Sequence, residues 1–446
     1  MKTLRMLAVA VSLLLLAGAC GQPDEIEPVE PPEDAPALDD PEAAEYDVFE
    51  APAEEEAVEV FTWWTAGGEA EGLEAMVEVF ADRYPEYTFV NAAVAGGAGT
   101  AARAVLASRL AAEDPPSSWQ GHAGQELIGT YVVAGQLEPL NFLFEEEGWL
   151  EVFPDAIIPQ ISHEGNIYSV PVNIHRANIL WYLPEQLDEF GVDVPTTWDE
   201  FFTVADELEA QGVIPLALGE QWTLMHLFET VLLGTMDVST YDGLWDGSTD
   251  WGGPEVAEAI EVFDRVLDYT NPDAPTLSWD QATQLVIDGE AAFNIMGDWA
   301  AGYFGAQGLE PSAGGYGWAP VPGTDGVFQW LSDSFALPVN AHNREGAIAW
   351  LRVAGSREGQ DAFNPIKGSI PARMDGDRSL YDDYLLSAMD DWESDELAGS
   401  LAHGTVASDA FKAEIDTALG LFLADRDGDT LQDELVNACE AAGPCE

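Results

Sequence analysis

Between Val58 and Phe80 the chain reads VEVFTWWTAGGEAEGLEAMVEVF. Val58 and Val60 alternate with polar neighbours, as on a half-buried strand. Leu73, Met76, Val77 and Phe80 recur at i, i+3, i+4 and i+7, which is one face of a helix. Trp63 to Glu69 is then a strand-to-helix loop, and in open α/β sheets such loops lie at the carboxyl ends of strands, where ligands bind. Downstream, YTFVNAAV reads as a second strand and GGAGTAARAVLASRLAA as a Gly-rich turn entering a helix. No Gly-Lys-Ser/Thr follows that turn, which excludes a phosphate loop. PTTWDEFFTVADELEAQGVIPLALG opens with Pro, a Thr cap and early acids, continues as a helix and stops at Gly212 before a strand. LVIDGEAAFNIMGDWAAG gives a helix end, a turn, a strand and a loop, with an acid and a Trp again at the strand's exit. Strands alternating with amphipathic helices predict an α/β fold.

A length of 446 residues exceeds one ordinary core and predicts two domains plus extra segments. Lys2 and Arg5 precede an apolar run from Leu7 to Ala17, too short to span a bilayer, so residues 1–19 read as a secretory signal peptide. The following Cys20 is similar to the lipidated cysteine of a bacterial lipobox, with the Leu one place earlier than usual; cleavage near Ala19 without a lipid is the alternative. From Gln22 to Ala57 there are 15 Asp or Glu, seven Pro and no Lys or Arg. Such a stretch buries too little apolar surface to fold, and residues 20–57 are expected to be a lipid-anchored tether reaching about 30 to 35 Å.

The remainder, residues 58–446, holds 67 Asp and Glu against 13 Lys and Arg, a net charge of −54. Nucleic acid and anionic membrane surfaces would repel it. Excess carboxylates suit a secreted surface bathed in high salt, where self-repulsion is screened. The whole chain has three lysines, Lys2, Lys367 and Lys412. Cys439 and Cys445 either pair in an oxidising compartment or remain free thiols.

Several segments together carry a resemblance. TWDEF with GVIPLALG, DGEAAFNIMGDWAAG and FNPIKGSIPARMD resemble the extracytoplasmic solute-binding proteins of ATP-driven sugar importers. WWTAGGE, VPVNIHRAN, LSWDQA and AHG are similar to the glucose/galactose-binding members, and the likeness covers about residues 58–425. The resemblance implies a type II, maltose-binding-protein-like fold of two lobes with a hinge and a sugar site in the cleft. Lobe 1 is placed at 58–172 and 337–385, lobe 2 at 173–336 and 386–430, and 431–446 as a C-terminal tail. It further implies a monomer outside the cytoplasm, a monosaccharide of the glucose, galactose or mannose type as ligand, a membrane permease as partner, and neither cofactor nor chemistry.

A pyranose presents hydroxyls around its rim and C–H patches on its faces, so its site needs aromatic planes and charged or amide groups. Trp63 and Trp64 supply planes from the first loop, with one expected to pack beneath while the other stacks, and Trp279 is placed on the opposite lobe. Glu69 is a hydroxyl acceptor or an early helix acid. The resemblance puts His122 at a strand end, Asn173 and His175 at the first hinge crossing, Asp298 at a strand exit, and Lys367 and His403 at the cleft. Lys367 stands out in a body with one other Lys, although any Lys here also has acids to pair with.

Asp425, Asp427 and Asp429 have the alternate-acid spacing of a calcium loop, but Val436 occupies the twelfth position where a bidentate acid belongs. Asp429 capping the terminal helix is the simpler reading. Among other functions, a secreted glycoside hydrolase would also use carboxylates and tryptophans, and would need two carboxyls at a fixed separation. A sugar sensor for a signalling partner would need the same cleft.

Overall fold

The computed structural model describes residues 56–445 apart from positions 66, 97, 98 and 313. The signal peptide, Cys20 and nearly all of the tether lie outside the described residues. Among these residues no helix is long and apolar enough to cross a membrane.

Three sheets organise the fold. The first has the order Thr88–Asn91, Ala57–Phe61, Ser118–His122, Asp333–Ala336, Ser169–Pro171, with the first three strands parallel and the last two added antiparallel. The second has the order Gly317–Pro320, Ile179–Tyr182, Ala291–Ile295, Ile214–Ala217. The third joins Ile370–Pro371, Asn173–Arg176, Val327–Leu331 and Glu396–Gly399. Residues 169–182 and 317–336 each pass through all three sheets, so the chain crosses twice between the first and second sheets by way of the third. One apolar core surrounds the first sheet and contains Val58, Val60, Phe80, Trp119, Phe335 and Trp350. A second surrounds the other end and contains Leu180, Phe201, Leu216, Phe228, Phe263 and Phe293. The inner strands Ser118–His122 and Ala291–Ile295 are covered on both faces, which explains why their residues are buried without alternation.

The first strand and helix are Ala57–Phe61 and Gly67–Arg83, and Leu73, Met76 and Phe80 are buried as their spacing required. Thr197 caps Trp198–Gln211 by accepting from Glu200 N–H, and Gly212 ends that helix at φ +81. The stretch after Ile295, expected as a loop, becomes the helix Trp299–Ala306. The terminal helix read from the sequence is Gly428–Ala442, and it is packed rather than a loose tail, because Leu431, Leu435, Ala438 and Cys439 form a buried stripe. That helix is capped by Asp427, which accepts from Thr430 N–H at 3.0 Å, and not by Asp429. Cys439 and Cys445 form a disulfide.

Candidate functional site

The loops leaving the first sheet, the crossing strands and the starts of helices Gln221–Thr235, Trp279–Ile287 and Trp299–Ala306 line a cavity of about 200 Å³. Of the ten residues predicted from sequence, eight line it: Trp63, Trp64, Glu69, His122, His175, Trp279, Lys367 and His403. The structure places Asn173 and Asp298 behind the wall, both fully buried. Trp299, noted in the sequence beside Asp298 at a strand's exit, lines the cavity, as do Trp222, Glu220, Ser278, Asp280 and Asp333, which carry no site signal in the sequence analysis.

Trp64 packs edge-on to Phe335 and at 4.7 Å, tilted, on Phe363, so it is largely a core residue whose edge reaches the cavity. Trp63 lies 5.0 Å from the His122 ring. Its other neighbour is Gly99 at φ +85, where a Cβ would come within 2.7 Å of the indole; only glycine allows the backbone to lie against the ring there. The sequence expectation that one of the two tryptophans packs beneath agrees with this arrangement.

Glu69 occupies the first turn of Gly67–Arg83, and its Oε1 accepts from Lys367 Nζ at 3.0 Å. Lys367 is the last residue of helix Arg357–Lys367, which ends in left-handed Gly368 at φ +84. Its ammonium sits 5.9 Å from the Trp64 ring and 5.7 Å from the Trp299 ring, a charge held between two π faces. Backbone closeness sets this position: a Cβ on Gly68 would lie 2.5 Å from the Ile366 carbonyl oxygen, and one on Gly302 would lie 2.6 Å from that of Lys367.

Asp333 is the centre of the polar floor. Strand register sets it opposite His122. Its Oδ1 accepts from Gln120 Nε2 and its Oδ2 from Asn173 Nδ2, each at 2.8 Å, while its own N–H donates to Asn173 Oδ1 at 2.8 Å. Burial would raise its pKa, yet the hydrogen bond and charge of His175, with His122 and Lys367, outweigh that and hold it well below the usual carboxylate range. His175 donates through Nδ1 to Asp298 Oδ1, and Asp298 Oδ2 accepts from Arg176 N–H at 2.9 Å. Burial opposes a charge on His175, but Asp298 and Asp333 raise its pKa overall. Asn173 and Asp298 therefore orient the residues that reach the cavity.

His122 Nδ1 lies 2.9 Å from Glu126 Oε2, a wholly buried carboxylate that also meets Arg103 Nη1 at 3.2 Å and Lys412 Nζ at 3.6 Å. Burial alone would raise Glu126; Arg103, His122 and Lys412 reverse this and keep it ionised. His403 stands beside His122, its ring 5.4 Å from the His122 ring, with Trp299 at 5.0 Å and Trp222 at 5.8 Å. His226, Glu229 and His403 bring one ligand atom each within 4.8 Å of one another. Both oxygens of Glu229 are already engaged by protein N–H and O–H donors, so the group is a hydrogen-bonded network.

Planes, one ammonium and several fixed acceptors around a small cavity are the parts of a binding site for a polyhydroxylated molecule. Solved structures share the fold. A bacterial solute receptor described as exclusively preferring β-D-galactopyranose aligns with a TM-score of 0.76 at 15% identity, over 86% of this chain and 98% of that one. Maltose-bound T. maritima MalE3 aligns at 0.69 and 17%, over 86% and 99%. The fold is thus the two-lobed one of maltose-binding-protein-like solute receptors. The chain belongs to the bacterial extracellular solute-binding protein family, whose model matches residues 66–361. It is 36% identical to an uncharacterized ABC transporter extracellular-binding protein of Pyrococcus horikoshii, over 85% of this chain and 87% of that protein. It is 32% identical to a probable sugar-binding periplasmic protein of Brucella suis (87% and 93%) and 30% identical to a xylose/arabinose-binding protein of Haloferax volcanii (81% and 80%). These are binding proteins, and this chain is one of them rather than an enzyme.

Proposed function

We propose that this protein is the sugar receptor of an ABC importer, capturing a monosaccharide of the glucose, galactose or mannose type and presenting it to a membrane permease. The observation that carries the reading is the cavity itself. Its volume of about 200 Å³ lies below the range of about 300 to 1,000 Å³ usual for larger ligands, which favours one pyranose over an oligosaccharide. Trp63, Trp222, Trp279 and Trp299 provide faces for the C–H patches. Lys367 donates to the ring hydroxyls, while Glu69, Asp333, His122, His175 and His403 complete the rim. The two cores serve as the lobes, close to 58–172 with 337–385 and 173–336 with 386–430, and the crossing strands serve as the hinge. The receptor acts as a monomer outside the cytoplasm, held at the membrane by a lipid on Cys20 and the acidic tether.

Calorimetric titration of the full chain with glucose, galactose, mannose, xylose and maltose tests this. One-to-one binding of a hexose, lost in Lys367→Ala and Trp63→Ala, is the expected result. Absence of heat with every sugar would sink the proposal, and tighter binding of maltose than of any monosaccharide would refute its monosaccharide part.

A further inference from the structure

Beneath the cavity wall, the largely apolar helix Gln221–Thr235 carries a buried carboxylate. Glu229 is fully buried and grips the loop that carries His403. Its Oε2 accepts from the N–H groups of Leu401 and Ala402, the latter at 3.0 Å. Ser400 Oγ lies 2.9 Å from Oε1 and 3.1 Å from Oε2. The same Oγ is 2.9 Å from His403 Nδ1 and 3.3 Å from the His403 N–H.

The polarity of this chain follows from which groups can donate. An ionised carboxylate only accepts. Ser400 has a single O–H, and it must be directed at Glu229. The Oγ lone pairs then face His403, so the hydrogen must be on Nδ1. The other ring nitrogen, Nε2, is left bare. Resting on the sugar-receptor reading above, we infer that Glu229, acting through Ser400, fixes the tautomer of His403 so that the imidazole offers the bound sugar an acceptor at Nε2. Glu229 is in these terms a positioning residue, and the ligand feature it selects is a hydroxyl able to donate toward His403.

Protonating Glu229 reverses the chain. The acid then has an O–H to place on Ser400 or on His226 Nδ1, 3.4 Å from Oε1. His226 can accept it, because its Nε2 is spent on the Ala177 carbonyl at 3.0 Å and its Nδ1 has no hydrogen-bond partner. The Ser400 O–H is freed to donate to His403 Nδ1, and Nε2 becomes a donor. Burial pushes Glu229 up to about 7, against the pull of Ala402, Ser400, Leu401 and the Lys412 charge. Tyr241, on helix Val238–Asp246, is the remaining titratable neighbour; its hydroxyl donates to the Gly399 carbonyl and stays neutral. Around His403 stand His122, His226, His175 and Lys412, which with burial keep its ring uncharged.

The test is nitrogen-15 detection of the His403 tautomer in the full chain, together with calorimetric glucose and galactose affinity, both followed across neutral pH. The wild type is expected to show Nδ1–H above neutrality and to move toward Nε2–H on acidification, with affinity falling about tenfold. Glu229→Gln places an amide donor on Ser400 and is expected to show Nε2–H at every pH, with a flat and weaker binding profile. Ser400→Ala breaks the relay and flattens the profile without fixing either tautomer. Nε2–H in the wild type at alkaline pH, or an unchanged profile in both variants, would overturn the inference. If no hexose binds, the sugar reading fails, while the tautomer measurement still decides the relay.

Discussion

Lys367 Nζ and Glu69 Oε1 meet at 3.0 Å across 298 residues of sequence. The pair joins the C-terminal end of one helix to the first turn of another, so a cation sits where the helix dipole favours it and an acid likewise. Both side chains have hydrogen-bonding capacity beyond this pair and line the cavity.

Lys367→Met removes the ammonium while keeping most of the apolar stem. Since a hydrogen bond from a charged group contributes about 1.5 to 3 kcal/mol, hexose affinity is expected to fall about 10- to 150-fold with little change in Tm. A fall in Tm with unaltered affinity would mean the lysine serves only its ion pair.

Trp64→Ala and Trp63→Ala should separate packing from recognition. Trp64 is nearly inaccessible and fills the space between Phe335 and Phe363, so its truncation is expected to cost about 3 to 5 kcal/mol in denaturant unfolding. Trp63→Ala is expected to cost affinity more than stability. Equal stability losses would contradict the assignment.

The same residues mark how far the sequence could be read. The strands and helices read from period and capping were legible because those are local properties, but the loop expected over Trp63 to Glu69 is shorter, since the helix begins at Gly67 and takes Glu69 into its first turn. At Asp298–Trp299 the sequence flagged an acid and an indole at a strand exit, but not which one faces the cavity. The helix that begins at Trp299 turns the indole to the cavity and leaves Asp298 to hold His175. Asp333 was hidden inside the strand-like run WLSDSFALP. A single acid amid buried positions was the available signal, and its opposition to His122 depends on a strand pairing 211 positions away in the chain. Glu229 and His226 likewise interrupt the apolar run LMHLFETVLL; only tertiary contact identifies the loop they hold.

Acid stability should depend on two buried groups of opposite sign. Burial lowers His226 from 6.5 to about 4, so the unfolded chain takes up a proton that the native state refuses, and stability is lost as pH falls from about 6.5 toward 4. Glu229, raised from 4.5 to about 7, holds a proton that the unfolded chain releases, and favours the native state as pH falls through that window. Glu229→Gln is therefore expected to steepen the loss of Tm between about pH 6.5 and 4.5, and His226→Asn to flatten it. Parallel Tm profiles for both variants and the wild type would refute this account.

Gly302→Ala inserts a methyl 2.6 Å from the Lys367 carbonyl oxygen, with Gly68 and Gly368 close by. The backbone must separate there, displacing the ammonium from Trp64 and Trp299. Weakened hexose binding is expected, and a crystal structure of the variant with Lys367 unmoved would count against the prediction.

A melting series in NaCl examines the surface charge. With −54 over residues 58–446, screening should raise Tm as salt increases toward 1 M, where the Debye length is about 3 Å. A flat or falling series would remove high salt as the reason for the acidic composition.

Both lysines among the described residues are spent inside: Lys367 is 2% exposed and Lys412 is 8% exposed. Across residues 56–445, reagents that seek primary amines, such as succinimidyl esters, biotin linkers and aldehyde fixatives, would meet no ε-amine at the surface. Carbodiimide coupling, by contrast, would find carboxylates on every side. The protein's own composition thus makes amine labelling a report on local opening: any ε-amine of residues 56–445 that reacts in the native protein has been uncovered by a movement at the cavity around Lys367 or at the buried cluster around Lys412.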